Sequence, residues 1–212
     1  MTTLKFSSRN LKKITKKTLE SIKKGGVIVC PTDTIYGLVA DATNEKAVKK
    51  VLDVKERDAH KAIPVFVKDI EMAKNLANID NRQEKFLNRV WPGEVTVVLK
   101  KKRTAKLPKE ISRGKKTIGL RIPKHNLINF LLEKLDKPLT GTSANISGRP
   151  GSTKIKEVLI QLKSQKIQPD LIIDAGDLKP RKPSSVVDLT GSNPKLLRVG
   201  ELSKKELFKA LK

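Results

Sequence analysis

The chain has 212 residues, enough for one domain spanning 1–212 with a sizeable core. Its formal net charge of +24 implies attraction to polyanions such as nucleic acid, nucleotides or an anionic membrane, or else a lysine-rich solvated surface. Cys30 is the only cysteine, which excludes an intramolecular disulfide and a cysteine-based zinc site; aromatics at 3% argue against base-stacking platforms, and no run approaches transmembrane length.

Asn10 is placed to cap a helix whose apolar stripe is Leu11, Ile14, Thr18 and Ile22, ended by Gly25-Gly26. Val27–Cys30 reads as a buried strand, and Pro31 opens a polar loop carrying Thr32, Asp33, Thr34, Tyr36 and Gly37. In open α/β sheets such strand-end loops collect ligands. Asn44 caps a second helix with Ala47, Val48, Val51 and Leu52 inward, followed by Lys55-Glu56-Arg57-Asp58 and Lys61. Ala62–Val67 reads as a strand, with Pro64 suggesting an edge or a bulge, and Asp69–Ala77 as a short helix. Asp80 with Gln83 forms a capping box for a third helix that ends before Pro92-Gly93. Glu94–Lys100 is a strand, Lys101–Lys116 a long basic surface loop, Thr117–Ile122 a strand and Leu127–Leu135 a helix. Pro138–Thr142 leads as a strand into Ser143-Ala144-Asn145, a helix follows near Ile155–Leu162, and Leu171–Ile173, Ser185–Leu189 and Leu196–Val199 are short strands before a helix at Ser203–Leu211. Interleaved strands and helices predict an α/β fold with a twisted, mixed open sheet.

Several common chemistries are excluded. There is no G-x-x-x-x-G-K-[ST], no G-x-G-x-x-G after a strand, no H-E-x-x-H and no G-x-S-x-G elbow. His60 and His125 lack metal-ligand spacing, so no protein metal site is expected, and His125 reads as structural or exposed. What remains is a set of strand-end clusters. Lys55-x-Arg57 with Lys61 offers a bidentate fork and movable point charges for phosphate or carboxylate. Thr117 and Arg121 share one face of a strand, and an arginine there without a ligand to hold would need a buried partner. Ser143-x-Asn145 places a hydroxyl and an amide on a tight loop, Ser184-Ser185 is a hydroxyl pair, and Arg198 ends a late strand. The set can hold anions and contains few acids or nucleophiles, which suggests a phosphorylated ligand and chemistry by positioning.

Seven ordered segments carry a more specific signal: P-T-D-T-I-Y-G-L (Pro31–Leu38), K-x-R (Lys55–Arg57), W-P-G (Trp91–Gly93), T-I-G-L-R-I-P-x-H (Thr117–His125), T-S-A-N-x-S-G (Thr142–Gly148), P-S-S-V-V-D (Pro183–Asp188) and L-R-V-G (Leu197–Gly200). The series resembles the YrdC-like threonylcarbamoyl-adenylate synthase family over roughly Ile14 to Gly200. The resemblance implies a YrdC-like fold with a concave basic face, in a short form without the extra C-terminal domain of longer relatives. It implies a nucleotidyltransferase that condenses L-threonine, bicarbonate or CO2 and ATP, with Mg2+, into threonylcarbamoyl-AMP and pyrophosphate. A separate transferase then modifies the adenosine beside the tRNA anticodon, which places the expected activity in the cytoplasm.

By the same resemblance Lys55 and Arg57 are the catalytic cations, and Thr34, Arg121 and Ser184 bind threonine. Arg57, Lys61, Thr117, Ser143, Asn145, Ser152 and Arg198 bind ATP. The chain departs from the pattern at Asp58, where many relatives have proline, at Phe66, where some have histidine, and at Ser185, a common threonine. The competing reading is a double-stranded RNA-binding or ribosome-assembly factor without catalysis, suggested by the charge; a third is another carbamoyl-adenylate chemistry on the same fold. Direct contact with tRNA is left open.

Overall fold

Strands and helices interleave along a computed structural model that describes residues 2–57 and 61–211; Asp58 and His60 lie outside the described residues. The strands are β1 (Thr2–Lys5), β2 (Ile28–Cys30), β3 (Gly37–Val39), β4 (Val65–Phe66), β5 (Ala77–Asn78), β6 (Val95–Lys101), β7 (Thr117–Arg121), β8 (Leu139–Thr140), β9 (Thr142–Ser143), β10 (Leu171–Asp174), β11 (Ser185–Asp188) and β12 (Lys195–Arg198). The helices are α1 (Leu11–Lys23), α2 (Glu45–Lys55), α3 (Ile70–Leu76), α4 (Asn81–Val90), α5 (Lys109–Ser112), α6 (Asn126–Leu135), α7 (Ile155–Lys163) and α8 (Lys204–Leu211).

The expected mixed open sheet is present in two pieces. One has the order β1-β10-β2-β3-β9; the other runs β12-β11-β6-β7-β4-β8, with β5 added beside β6. Both mix parallel pairs, such as β10 with β2 and β11 with β6, and antiparallel ones, such as β2 with β3 and β6 with β7. The run read as one strand over Pro138–Thr142 changes sheets at Gly141, so β8 joins one piece and β9 the other. A Cβ at Gly141 would stand 2.7 Å from two ring carbons of Phe66, which is why the crossing point has no side chain.

Strand β2 is buried on both faces, as a central strand requires. Val27 and Val29 face a large core shared with Leu38, Val65, Val97, Leu120 and Ile172, while Ile28 and Cys30 face a second core closed by α1 and α6 through Ile14, Ile22, Leu127 and Leu131. Local caps set α2, α3 and α4: Asn44, Asp69 and Asp80 accept from Ala47, Met72 and Gln83 N–H, and Asp80 with Gln83 completes the capping box.

Four expectations change. Leu11 is 38% exposed rather than part of the inward stripe, because it occupies the first turn of α1, whose first three residues are all exposed. Asn10 stands at the cap position of α1, but its side chain accepts from Ser7 N–H and donates to the Lys5 carbonyl, closing the preceding turn. The strand at Ala62–Val67 shortens to Val65–Phe66 and is internal, between β7 and β8; Pro64 precedes it. The basic stretch Lys101–Lys116 is not all surface loop, since α5 buries Glu110, Ile111 and Ser112, and the Ile111 carbonyl accepts from Ile63 N–H. Among the described residues no helix is long and apolar enough to cross a membrane.

Candidate active site

The pleat of three neighbouring strands sorts their residues to two sides. Ile118 and Leu120 of β7, Val97 and Leu99 of β6 and Val187 of β11 enter the core. Thr117, Gly119 and Arg121, then Thr96 and Val98, then Ser184, Val186 and Asp188 line a cleft of about 550 Å3 on the other side. The loop between β2 and β3 and the segment following β9 form its opposite wall.

On that wall Thr32 braces the loop: its hydroxyl donates to the Ile35 carbonyl (2.6 Å), accepts from Thr34 N–H (3.1 Å) and lies 3.2 Å from the Thr34 hydroxyl. Thr34 Oγ1 in turn stands 3.5 Å from Arg121 Nη1. Arg121 is almost wholly buried; its Nε donates to the Gly93 carbonyl (2.7 Å), its Nη2 to Asp33 Oδ1 (2.7 Å), and its guanidinium lies 5.8 Å from the Phe66 ring centroid. Burial lowers the Arg121 pKa, and Asp33 opposes that shift.

Arg198 Nε donates to the Ser184 carbonyl (2.9 Å) and Nη2 to the Ser184 hydroxyl (3.1 Å), which is also 3.0 Å from Thr96 Oγ1. Burial, and then repulsion from Arg121, lower the Arg198 pKa, so the two guanidinium charges feel each other across the cleft. At the far end Arg57 Nε donates to the Lys61 carbonyl (3.0 Å), Nη2 to the Ala62 carbonyl (2.5 Å) and Nη1 to Thr142 Oγ1 (3.3 Å). Arg149, Lys115 and Arg57 add cations to the lining, against the single carboxylate of Asp188 among the lining residues. Small hydroxyls and rigidly held guanidinium groups on a shallow floor suit a ligand with several anionic oxygens.

Comparison with known proteins gives this arrangement a family. Residues 20–200 match the Sua5/YciO/YrdC family model, described as telomere recombination. The chain belongs to the Sua5/YciO/YrdC family. Over 191 residues it is 36% identical to the threonylcarbamoyl-AMP synthase of Pyrococcus abyssi, covering 90% of this chain and 55% of that protein. Its fold is similar to the crystal structure of P. abyssi Sua5 complexed with L-threonine (TM-score 0.87, 32% identity, 99% of this chain and 60% of that one). It is also similar to the crystal structure of Escherichia coli YciO (TM-score 0.83, 27% identity, 97% and 98%). The chain thus spans little more than half the length of the P. abyssi synthase.

Within this Sua5/YciO/YrdC domain, Thr34, Arg57, Thr117, Arg121, Ser143, Asn145, Ser184 and Arg198 all line the one cleft. Three expected site residues do not. Lys55 is 1% exposed and lies beneath the 143–145 loop: its ammonium donates to the Ser143 carbonyl (2.6 Å), the Asn145 carbonyl (2.9 Å) and Asn145 Oδ1 (2.7 Å). Burial, and then Arg57, push its pKa down to about 7, while three oxygens accept all three of its protons, so the geometry fits the charged form. These three bonds give Lys55 the geometry of a clamp on the loop. Ser152 donates to Glu157 Oε2 (2.6 Å) and accepts from Lys154 N–H (2.9 Å), which commits its hydroxyl to the start of α7 rather than to the cleft. Lys61 is exposed, and the part of it that meets the site is its carbonyl, which holds Arg57.

Asp33, Thr96, Lys115, Thr142, Arg149 and Asp188 join the site only through the fold, Asp33 by its bond to Arg121 and the others as cleft lining. Period-two alternation with Thr117 and Arg121 would have found Gly119 only; Thr96 and Asp188 needed the pairing of β6 with β7 and β11. Tyr36, read as part of the polar loop, is fully buried, donating to the Gly176 carbonyl (2.7 Å) and accepting from Ala175 N–H (3.0 Å); burial pushes its pKa up to about 12.

Proposed function

We propose that the chain acts as an L-threonylcarbamoyladenylate synthase, consuming L-threonine, bicarbonate and ATP and releasing pyrophosphate and water. The observation that carries the reading is the convergence of Thr34, Arg57, Arg121, Ser143, Ser184 and Arg198 on one cleft, with one pole at Thr34 and Arg121, 3.5 Å apart, and Arg57 held beside Thr142. The L-threonine in the similar P. abyssi Sua5 structure agrees with an amino-acid pole.

In this reading Arg121 Nη1 and the Thr34 hydroxyl take the threonine carboxylate. The neutral amine captures CO2 or bicarbonate as a carbamate. A carbamate oxygen attacks the α-phosphorus, and the bond to pyrophosphate breaks on the opposite side. Arg57 and Arg198 stabilise the charge that accumulates on the phosphate oxygens, Thr117, Ser143 and Asn145 fix the nucleotide, and no side chain is required as general base. Magnesium would enter with the ATP substrate and offset charge on its phosphates, with Asp188 the one carboxylate of the lining available to it. The product serves a separate transferase that modifies tRNA, which places the protein in the cytoplasm. A purely RNA-binding role would not need a buried guanidinium aimed at a threonine hydroxyl.

The deciding experiment is mass spectrometry of the protein mixed with ATP, L-threonine and bicarbonate. Threonylcarbamoyl-AMP should form only when all three are present, and its absence under those conditions overturns the proposal.

A further inference from the structure

We infer that Asp33 is a positioning residue that sets how the cleft takes its amino acid: it holds the Arg121 guanidinium so that one nitrogen, Nη1, is presented beside Thr34. The inference rests on the proposed synthase reading, for which Arg121 is the carboxylate-binding group.

A guanidinium has five N–H donors in a fixed plane, so fixing two of its edges fixes the third. Gly93 holds the Nε edge at 2.7 Å and Asp33 holds Nη2 at 2.7 Å. The Nη1 edge is left toward Thr34 Oγ1, at 3.5 Å, the outer limit of a hydrogen bond and a gap that a substrate oxygen can bridge. Asp33 cannot swing away, because its second oxygen accepts from Lys124 N–H (2.7 Å), just before α6. Both partners of the ion pair have side chains no more than 5% exposed.

The charge balance gives Asp33 a second effect. Burial is the main cause of the lowered Arg198 pKa, and the Arg121 charge adds to it. Asp33 offsets part of that charge on the side away from the cleft, since Thr32 and Thr34 line the cleft and Asp33 between them does not. One loop therefore carries both a ligand-facing hydroxyl and the brace for the arginine that the hydroxyl works with. Loss of Asp33 would free the fork to rotate and would leave a buried charge without its partner.

The test compares steady-state kinetics of pyrophosphate release for the unaltered protein, Asp33→Asn, Asp33→Glu, Arg121→Lys and the Asp33→Asn/Arg121→Lys double variant. Asp33→Asn should raise the threonine KM by roughly ten- to a hundredfold and leave the ATP KM within about twofold, the pattern of a displaced contact. Asp33→Glu, which keeps the charge, should recover part of the loss, and the double variant should be no worse than Arg121→Lys alone. Parallel rises in both KM values, or multiplying effects in the double variant, overturn the inference in favour of a general loss of structure. If Asp33→Asn does not fold, Asp33→Glu carries the same comparison of the two KM values. An unaltered protein that makes no threonylcarbamoyl-AMP overturns the synthase reading itself, a result visible before any variant is made.

Discussion

Lys55 Nζ and Asn145 Oδ1, ninety positions apart in the chain, lie 2.7 Å apart beneath the cleft. This bond ties the K-x-R segment to the S-A-N segment, so two motifs that look independent in sequence form one structural unit. Arg57 and Ser143, on the outer side of that unit, line the cleft. The Ser143 hydroxyl also donates to Asn145 Oδ1 (2.6 Å), and the Asn145 amide donates to the Ile146 and Arg149 carbonyls.

Replacing Lys55 by Met keeps the apolar stem and removes the donor to three buried oxygens. Losing these charged hydrogen bonds should cost about 1.5–3 kcal/mol, with the loss concentrated in the 143–149 loop. The expected result is a lower denaturant midpoint together with a raised ATP KM. Unchanged values of both would show that the clamp does not hold the loop.

Arg57 and Ser152 separate charge stabilisation from helix support. Arg57→Ala should slow threonylcarbamoyl-AMP formation by on the order of a hundredfold, as removal of a transition-state contact does. Ser152→Ala should leave the ATP KM unchanged and lower stability by about 1 kcal/mol, the usual loss for a hydroxyl that satisfies an N–H at a helix start. Lys61→Ala, whose carbonyl still holds Arg57, should fall between the two in rate. A large rise in ATP KM for Ser152→Ala would restore its assignment to the nucleotide.

Gly200 is packed against the chain that carries Ser184. A Cβ there would stand 2.1 Å from the Pro183 carbonyl oxygen and 2.5 Å from Ser184 C and Ser185 N, contacts that only backbone movement can relieve. Gly200→Ala should therefore push β12 away from β11, pull Arg198 off Ser184 and destabilise the fold by about 1–3 kcal/mol, as overpacking does. Thermal unfolding and the ATP KM should worsen together.

His125 precedes α6 beside the Asp33–Arg121 pair, and its buried Nδ1 has no hydrogen-bond partner among the described residues. Burial, the largest cause, holds its pKa below the ordinary 6.5; Asp33 opposes the shift and Arg121 adds to it. Below pH 6.5 the unfolded chain takes up a proton that the folded ring resists. The stability associated with neutral His125 is thus complete above pH 6.5 and is lost as pH falls toward the folded value. Unfolding midpoints measured across that window should decline in the unaltered protein, and the decline should be smaller in His125→Gln.

The legible parts of the fold were the local ones. Asn44, Asp69 and Asp80 announce α2, α3 and α4 because a cap is a hydrogen bond across three residues, written within one stretch of sequence. Strand β3 has three residues and β1 is exposed and polar, so neither shows an alternation long enough to read, and their pairing with β2 and β10 supplies what the pattern lacks. The split of Pro138–Thr142 between two sheets was equally invisible, since it depends on the Phe66 ring filling the space at Gly141.

The alternation of strands and helices, the starts of α2 and α4, the set of cations and hydroxyls available for an anionic ligand, and the ordered motifs that mark the family are all written along the chain. Which of those groups meet depends on how the sheets pack. Lys55 and Arg57 are two residues apart yet point to opposite fates, one clamped by carbonyls 88 and 90 positions away and the other on the cleft wall. Asp33, unremarkable among its neighbours, gained a role because Arg121 arrives from 88 positions along the chain. A side chain's donors are fixed by its chemistry, but the acceptors that take them are supplied by distant segments, and their placement is settled only when the sheets close.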